Sequence, residues 1–350
     1  MRRVKEARRM RAFMIYALAA LWLALSGCKQ QAVETVPSVP QNTIGAEGTA
    51  LEPPPSARPI VLGFSQLGSE SAWRLANTNS IQEAAAEAGV VLMYENAEQS
   101  QSKQFDAIRS FIRQKVDVIA IAPVVQTGWE PILKEAKEAG IPVIICDRSI
   151  EVEDSSLYVT LIGSDFYEEG RKAGKYLLDR TRDSVGPIGI AELKGTEGST
   201  PSIERGQGFR ETIAGRGDFK FVASEFADFT FDGGKKTMRK FLSEKGDEIN
   251  VLYAHNDDMA LGAIEAIEEY GLKPGKDIVI ISVDGTRRAL EQLAQGKISL
   301  VVECNPLLGP DLMQAATEII QGRTLTKRIV PTESVFTEQM AKREALHRKY

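Results

Sequence analysis

The fold is decided by the stretch "VDVIAIAPVVQTGWEPILKEAKEAGIPVIICDRSI", residues 116–150. Two apolar runs within it, "VDVIAIAP" and "IPVIICD", do not alternate with polar residues, which predicts strands buried on both faces. The segment between them, "WEPILKEAKEAG", has the pattern of a helix. A strand–helix–strand unit of this kind predicts neighbouring parallel strands with a helix covering one face of the sheet.

The same alternation runs from residue 59 to near the end of the chain. Further strand-like segments are "PIVLGF", "VVLMYE", "YVTLIG", "PIGIAEL", "KFVASEF", "INVLYAH", "DIVIISVDG" and "ISLVVEC". Since 350 residues suit about two domains, we predict an α/β fold of two doubly wound parallel-sheet domains. The last predicted helix, "PLLGPDLMQAATEIIQG", is followed by a short tail.

The N-terminal segment has a different character. A basic start, "MRRVKEARRMR", precedes an apolar run over residues 12–25, which has the length of a signal-peptide core and is short for a spanning helix. Residues 25–28, "LSGC", resemble the bacterial lipobox. We therefore predict a lipoprotein signal peptide over residues 1–27 and lipidation of Cys28, which would anchor the protein to the membrane. The alternative is a plain signal anchor with an incidental cysteine.

Residues 28–58 are rich in Pro, Gly and small polar residues without an apolar period, which predicts a flexible tether. The formal net charge is −5, and loss of residues 1–27, which carry six basic and one acidic residue, brings it to −10. This acidic balance argues against nucleic acid or anionic lipid as the main partner. Cys146 and Cys304 lie in apolar, strand-like contexts, which favours two buried thiols over a disulfide.

Polar and aromatic side chains follow several predicted strands, as in "FSQLGSESAWR", "CDRS", "AHNDD" and "VDGT". Ligands of open α/β sheets bind beyond the carboxyl ends of the strands. The candidate groups are Phe64, Glu70, Ser71, Trp73, Arg74, Asp147, Arg148, Arg205, Phe229, Asn256 and Asp284. Because carboxylates accept and guanidinium groups donate hydrogen bonds, a hydroxyl fits between an Asp and an Arg. The pattern favours an enclosed, uncharged, polyhydroxylated ligand such as a sugar.

Several of these candidates have a purely structural alternative. Asp284 could cap the following helix, Asn256 could be the N-cap of "DDMALGAIEAIEEYG", and Trp73 could be a helix core residue. Asp147 and Arg148 could lie in a solvated loop. As neighbours on a strand these two point to opposite faces and cannot simply pair with each other.

Signals of catalysis are weak. The chain has two histidines, and "HNDD" at residues 255–258 has no further Cys or His at metal-ligand spacing. The segment "LKGTEGST" lacks the glycine spacing of a phosphate-binding loop, and no nucleophile elbow is present in the sequence. We therefore expect no enzyme activity, no cofactor and no metal.

From residue 59 on, the chain resembles the sugar-binding proteins of bacterial ABC importers, in the ribose-binding-like group with the type I periplasmic binding protein fold. The segments "GFSQLGSESAWR", "IAPVVQTGWEPILKEAKEAGIPVIICDRSI", "YAHNDDMALGAIEAIEEYGLKPGKDI" and "VDG" are very similar to the galactofuranose-binding subfamily. The resemblance implies that a monomer captures a neutral monosaccharide, galactofuranose or a related sugar, at the periplasmic or extracellular face. It also implies delivery of that sugar to an ABC transporter permease.

By that resemblance, the residues that would bind the sugar are Glu70, Ser71, Ala72, Trp73, Arg74, Asp147, Arg148, Arg205, Phe229, Asn256, Asp284 and Glu303. Trp73 and Phe229 would stack on the sugar ring, and the charged and amide groups would bind its hydroxyls. Glu303 falls at a hinge position where relatives carry a polar ligand group.

The resemblance further implies three crossings between two domains, near residues 161–165, 303–306 and 329–334. The N-terminal lobe would comprise residues 59–162 and 304–330, and the C-terminal lobe residues 163–303 and 331–350. The lobes would close on the ligand by hinge motion at the crossings. Two other hypotheses are a sensory receptor that signals to a membrane kinase or chemoreceptor, and an enzyme that acts on a sugar. A transcription factor of this fold is disfavoured, because a lipobox stands in place of a helix-turn-helix.

Overall fold

The computed structural model describes residues 58–350. The strands are β1 Val61–Gln66, β2 Val91–Asn96, β3 Val118–Ile121, β4 Val143–Cys146, β5 Thr160–Ile162, β6 Ile188–Lys194, β7 Phe219–Phe226, β8 Val251–Ala254, β9 Val279–Asp284, β10 Leu300–Glu303, β11 Arg328–Ile329 and β12 Val335–Phe336. The helices are α1 Ala72–Ala88, α2 Gln101–Gln114, α3 Glu130–Glu138, α4 Phe166–Arg180, α5 Thr200–Ile213, α6 Phe231–Lys245, α7 Asp257–Tyr270, α8 Arg287–Ala294, α9 Gly309–Ile320 and α10 Glu338–His347. The predicted signal peptide, Cys28 and the tether up to residue 57 lie outside the described residues. Within residues 58–350, no helix combines the length and the hydropathy needed to cross a bilayer.

The strands form two six-stranded sheets with the same internal order. The first sheet, β11-β5-β4-β3-β1-β2, has parallel neighbours throughout. The second, β12-β10-β9-β8-β6-β7, is parallel except that β12 runs antiparallel to β10. Each sheet thus contains the order 2-1-3-4-5 of a doubly wound fold, whose ligand site lies where the strand order reverses. The predicted fold class is confirmed.

Helices cover both faces of each sheet, which explains why β3 and β4 are apolar and buried along their whole length. Helices α1 and α9 pack on one face of the first sheet, and α2 and α3 on the other. On the second sheet, α4 and α5 cover one face, and α6, α7, α8 and α10 the other. We call the first sheet with α1, α2, α3 and α9 lobe 1, and the second sheet with the remaining helices lobe 2.

Local sequence signals set the helix ends. Gly89 ends α1 in the left-handed conformation, at φ 66°, which glycine adopts readily because it has no Cβ. The helix begins at Ala72, because the side chain of Ser71 caps it by accepting the N–H of Arg74. The expected short tail after α9 is wrong, since that segment forms β11, β12 and α10. Ala341 gives α10 a buried face in the core of lobe 2.

The chain passes between the two sheets after β5, after β10 and after β11. Glu333, in the third connection, accepts hydrogen bonds from the hydroxyl of Ser164 in the first and from the N–H of Asn305 in the second, the latter at 2.9 Å. One carboxylate therefore ties the three connections together.

Cys146 and Cys304 are both buried and free, which confirms the prediction of two thiols. Cys146 ends β4 in lobe 1, and Cys304 follows β10 of lobe 2. Burial raises the pKa of each thiol above its ordinary value. Both thiols are therefore expected to be unreactive in the folded protein.

Candidate functional site

A cavity lies between the two sheets, at the carboxyl ends of their strands. The side chains that line it are Glu70, Ser71, Trp73, Arg74, Asp147, Arg148, Phe166, Pro201, Arg205, Phe229, Asn256, Asp284 and Cys304. Three of them are acidic and three carry guanidinium groups, so the cavity has no large excess of either charge. This balance suits an uncharged polar ligand better than a strongly charged one.

Arg74 is the central cation on the side of lobe 1. Its Nη2 lies 2.6 Å from Oδ2 of Asp147, and its Nε lies 3.2 Å from Oε1 of Glu70. Burial disfavours the charged guanidinium, but the two carboxylates outweigh burial and raise the pKa of Arg74. Asp147 and Arg148 are 4% and 2% exposed, which overturns the alternative of a solvated loop.

Arg148 has an incomplete set of hydrogen bonds. Its Nη1 donates to the carbonyl of Val124 at 3.0 Å, and its Cζ lies 5.2 Å from the ring centre of Phe229. Its Nε is buried, has no hydrogen-bond partner within residues 58–350, and lies 3.9 Å from Oδ2 of Asp147. Burial and then repulsion by Arg74 lower the pKa of Arg148 to about 10, which leaves it charged at neutral pH. A buried donor without a partner is costly, so we expect a ligand oxygen to complete it.

Arg205 is the corresponding cation of lobe 2. Its Nε lies 2.7 Å from Oε2 of Glu169, and its Nη1 donates to the carbonyl of His255 at 2.6 Å. Burial works against the charge, but Glu169 outweighs it and the pKa of Arg205 is raised. The guanidinium group is also 3.9 Å from Oδ1 of Asp284 and 5.1 Å from the ring centre of Phe166. Two fixed nitrogens orient the plane of this group beside the cavity.

Asn256 serves both the fold and the cavity. Its Oδ1 caps α7, as the structural alternative supposes, and its Nδ2 donates to the carbonyl of Phe229 at 3.0 Å. Asp284 does not cap the helix that follows it, because Thr286 does so. Burial, followed by repulsion from Asp257, raises the pKa of the Asp284 carboxyl, although Arg205 counteracts the rise. A carboxyl with a raised pKa is protonated more readily than an ordinary carboxyl, and its protonated form can both donate and accept a hydrogen bond.

Three cavity residues have positive backbone φ angles: Asp147 at 65°, Phe229 at 61° and Asp284 at 125°. Residues other than glycine rarely adopt such angles, which cost free energy and are concentrated at functional sites. The backbone at Gly163 packs tightly against Asp147, since a Cβ on Gly163 would lie 2.2 Å from the carbonyl oxygen of Asp147. The strained backbone and this close approach together fix where the Asp147 carboxylate lies.

The segment "HNDD", considered above as a metal site, is engaged in the fold. Asp257 accepts the hydroxyl of Ser282 at 2.6 Å and the N–H of Thr286 at 2.7 Å, and burial raises its pKa to about 6. Nε2 of His255 lies 3.2 Å from Oε1 of Glu192, and burial lowers the pKa of this histidine. These groups therefore act as internal hydrogen-bond partners that support the lobe 2 wall of the cavity.

Ten of the twelve residues predicted to bind the ligand line the cavity, and Ala72 and Glu303 do not. The side chain of Ala72 is exposed. The carboxylate of Glu303 accepts the N–H of Ser334 at 2.8 Å and lies 2.6 Å from Nη1 of Arg348. Neighbouring residues of a strand point to opposite sides, so Cys304 reaches the cavity instead.

The aromatic candidates Phe64 and Trp73 differ in whether they line the cavity. Phe64 lies in the core of lobe 1, fully buried. Trp73 is 5% exposed and packs as a core residue, as its alternative supposes, but it also lines the cavity. Its Nε1 donates to the carbonyl of Cys304 at 2.7 Å, which links α1 of lobe 1 to the connection that follows β10.

Sequence reasoning missed Phe166, Pro201 and Cys304 as cavity residues, and Glu169 as the partner of Arg205. Phe166 lies just after β5, so the expectation that ligands bind beyond the carboxyl ends of the strands could have identified it. Glu169 lies inside an amphipathic helix, where an acid is normally exposed, and only the tertiary structure reveals that it is fully buried.

Comparison with known proteins agrees with this architecture. The family described as periplasmic binding protein domain matches residues 62–324. The galactofuranose-binding protein YtfQ of Escherichia coli K12 is 40% identical over 308 residues, which cover 87% of this chain and 96% of that protein. A Mycobacterium smegmatis protein in complex with β-D-fucofuranose is 50% identical, with a TM-score of 0.80 over 81% of this chain and 93% of that one. The periplasmic binding component of the arabinose ABC transporter from Shewanella sp. ANA-3, bound to α- and β-L-arabinofuranose, is 46% identical, with a TM-score of 0.80 over 83% and 95% of the two chains.

Proposed function

Because this chain belongs to the periplasmic binding protein family, we propose that it captures a neutral monosaccharide in its furanose form, galactofuranose or a close relative, and delivers it to an ABC transporter permease. The protein is a binding protein and not an enzyme, like the relatives that share its fold. The observation that carries the proposal is the buried Nε of Arg148, which has no hydrogen-bond partner in the described part of the chain and lies in a cavity of balanced charge. A hydroxyl oxygen satisfies that donor without adding a charge.

The proposed contacts use groups from both lobes. Asp147 and Arg148 would bind hydroxyls from lobe 1, and Arg205, Asn256 and Asp284 from lobe 2, with Glu70, Ser71 and Arg74 completing the lobe 1 wall. The faces of Trp73 and Phe229 would cover the apolar C–H faces of the ring. A sugar held in this way is bonded to both lobes at once, so it favours the closed arrangement over an open one.

The lobe boundaries that we propose are residues 59–162 with 304–330, and residues 163–303 with 331–350. The hinge would consist of the three connections that Glu333 joins. Domain closure by small rotations at such connections would exclude water from the cavity and present one combined surface to the permease.

We further propose that lipid on Cys28 anchors the protein at the outer face of a membrane and that residues 28–58 act as its tether. Substitution of Cys28 by Ser in full-length protein should release it from the membrane fraction. The sensory alternative has less support, because the Shewanella relative is a transporter component. A permease gene beside this one would favour transport, and a kinase gene would favour sensing.

Isothermal titration calorimetry tests the proposed ligand class. Full-length protein in a mild detergent would be titrated with L-arabinose, D-galactose, D-fucose and D-ribose, and with D-galacturonate and ribose 5-phosphate as charged controls. We expect saturable binding of at least one neutral sugar and no binding of the charged ones. Failure of every neutral sugar to bind would refute the proposal, and selective binding of a charged sugar would refute the argument from charge balance.

A further inference from the structure

We propose that Asp258 is a closure latch, a positioning residue that strengthens ligand binding by bonding one lobe to the other without touching the ligand. This inference rests on the proposed function, because its effect is measured through sugar binding. It concerns a residue outside the cavity lining, in the first turn of α7 of lobe 2.

The latch is a direct contact between the lobes. Oδ2 of Asp258 accepts the N–H of Ala72, the first residue of α1 in lobe 1, at 2.8 Å. Asp258 is only 9% exposed, so water competes little for this bond. Since α1 has no acidic residue in its own first turn, the carboxylate from lobe 2 supplies the negative charge that the helix N-terminus favours.

Three consecutive residues at the start of α7 have separate tasks. Asn256 caps the helix and lines the cavity. Asp257 bonds to Ser282 and Thr286 within lobe 2. Asp258 alone of the three reaches the other lobe. Ligand contact and lobe contact are therefore side by side on one helix terminus, so a ligand that positions this terminus also positions the latch.

A second set of bonds joins the lobes through other loops. The N–H of Gln126 in lobe 1 donates to the carbonyl of Gly198 in lobe 2 at 2.9 Å. The hydroxyl of Thr200 in lobe 2 donates to the carbonyl of Ser149 in lobe 1 at 3.1 Å. These bonds lack the charge of Asp258, and hydrogen bonds to charged groups are the stronger ones. We therefore expect Asp258 to contribute most among the single side chains that bridge the lobes in this way.

Calorimetry on the full-length protein in detergent tests the latch with L-arabinose and D-galactose as probes. Asp258→Ala is expected to raise the Kd of each sugar that binds by about tenfold, the order expected for a bond to a charged group. The factor should be the same for both sugars, because the residue does not touch them. The matched control is Asp232→Ala, an exposed acid in the first turn of α6, which should leave each Kd unchanged.

A second measurement separates closure from folding. Amide hydrogen exchange in the first turn of α1 should be faster in Asp258→Ala than in the wild type when sugar is bound. Without sugar the two proteins should exchange alike and have the same unfolding midpoint, because the bond to Ala72 forms only when the lobes close. Thr200→Val should weaken binding less, and its factor should multiply with that of Asp258→Ala.

The outcomes distinguish the two proposals. Unchanged Kd values and unchanged exchange in Asp258→Ala would overturn the latch while leaving sugar binding intact. Unequal factors for the two sugars would also overturn it, because they would indicate direct contact with the ligand. If the wild type binds no neutral sugar, the proposed function fails, and the latch as an affinity device fails with it.

Discussion

Replacement of Asp147 by Asn tests the central electrostatic argument for the cavity. The carboxylate lies 2.6 Å from Arg74 and 3.9 Å from Arg148, so the change removes one negative charge from between two buried guanidinium groups. Asn tolerates the left-handed backbone at this position, where φ is 65°, so the main chain should keep its course. The amide oxygen still accepts a hydrogen bond, but without the charge.

The expected magnitude follows from the bonds that change. A hydrogen bond to a charged group contributes about 1.5–3 kcal/mol, and a neutral one about 0.5–1.5 kcal/mol. Loss of the charge should therefore weaken sugar binding by about 1.5 kcal/mol, which is roughly a tenfold increase in Kd. Without the charge of Asp147, the repulsion between the buried guanidinium groups of Arg74 and Arg148 is less compensated, so the free energy of unfolding should fall by about 1–3 kcal/mol.

The assay combines calorimetry with urea unfolding of the sugar-free protein. Asp228→Asn is a matched control, because Asp228 also has a left-handed backbone, at φ 55°, but is exposed and lies outside the cavity lining. This control should alter neither the Kd nor the unfolding free energy. The reasoning is refuted if Asp147→Asn leaves sugar affinity within about twofold of the wild type, a difference of about 0.4 kcal/mol.

Three further changes probe other parts of the structure. Trp73→Phe loses the hydrogen bond to the carbonyl of Cys304 but keeps an aromatic face, so calorimetry should show a Kd raised by about fivefold. An unchanged Kd would show that this bond does not contribute to sugar binding. Arg348→Met should lower the free energy of unfolding, measured in urea, by about 2 kcal/mol, because the carboxylate of Glu303 loses its guanidinium partner. It should change the Kd of the sugar by less than about threefold, since neither residue lines the cavity. Burial lowers the pKa of His255 below its ordinary value of 6.5, so at pH values just below 6.5 the unfolded chain binds a proton more readily than the native protein does. The free energy of unfolding should therefore decrease as the pH falls below 6.5. His255→Gln should flatten this slope in urea titrations between roughly pH 5 and 7, and an identical slope in both proteins would contradict the assignment.

The repeated strand–helix pattern was sufficient to predict the two doubly wound sheets, because apolar strands such as β3 and β4 must be covered on both faces. The antiparallel strand β12 and helix α10 were not predictable in the same way. Only two residues of β12 are paired, and the buried face of α10 consists of alanines, whose apolar signal is weak.

Most of the cavity followed from one rule, that polar residues after parallel strands gather at one edge of the sheet. That rule placed Asp147 and Asp284 near other candidates but could not assign their partners. The bond from Arg74 to Asp147 joins residues 73 positions apart, and the pair Arg205–Glu169 depends on how two helices pack. The two predicted residues that do not line the cavity are Ala72 and Glu303, and for Glu303 a difference of one residue along the chain decides that Cys304 faces the cavity instead.

The position of Trp73 gives the protein its own optical probe. The chain has three tryptophans, of which Trp22 falls in the predicted signal peptide and Trp129 is fully buried in lobe 1, outside the cavity lining. The indole of Trp73 lines the cavity and is bonded to the connection after β10, so opening of the lobes would change its solvent exposure. Emission from Trp73 should shift to the blue on closure while that of Trp129 stays constant as an internal reference. If the lobes open and close as proposed, stopped-flow fluorescence of the unlabelled protein would measure both rates.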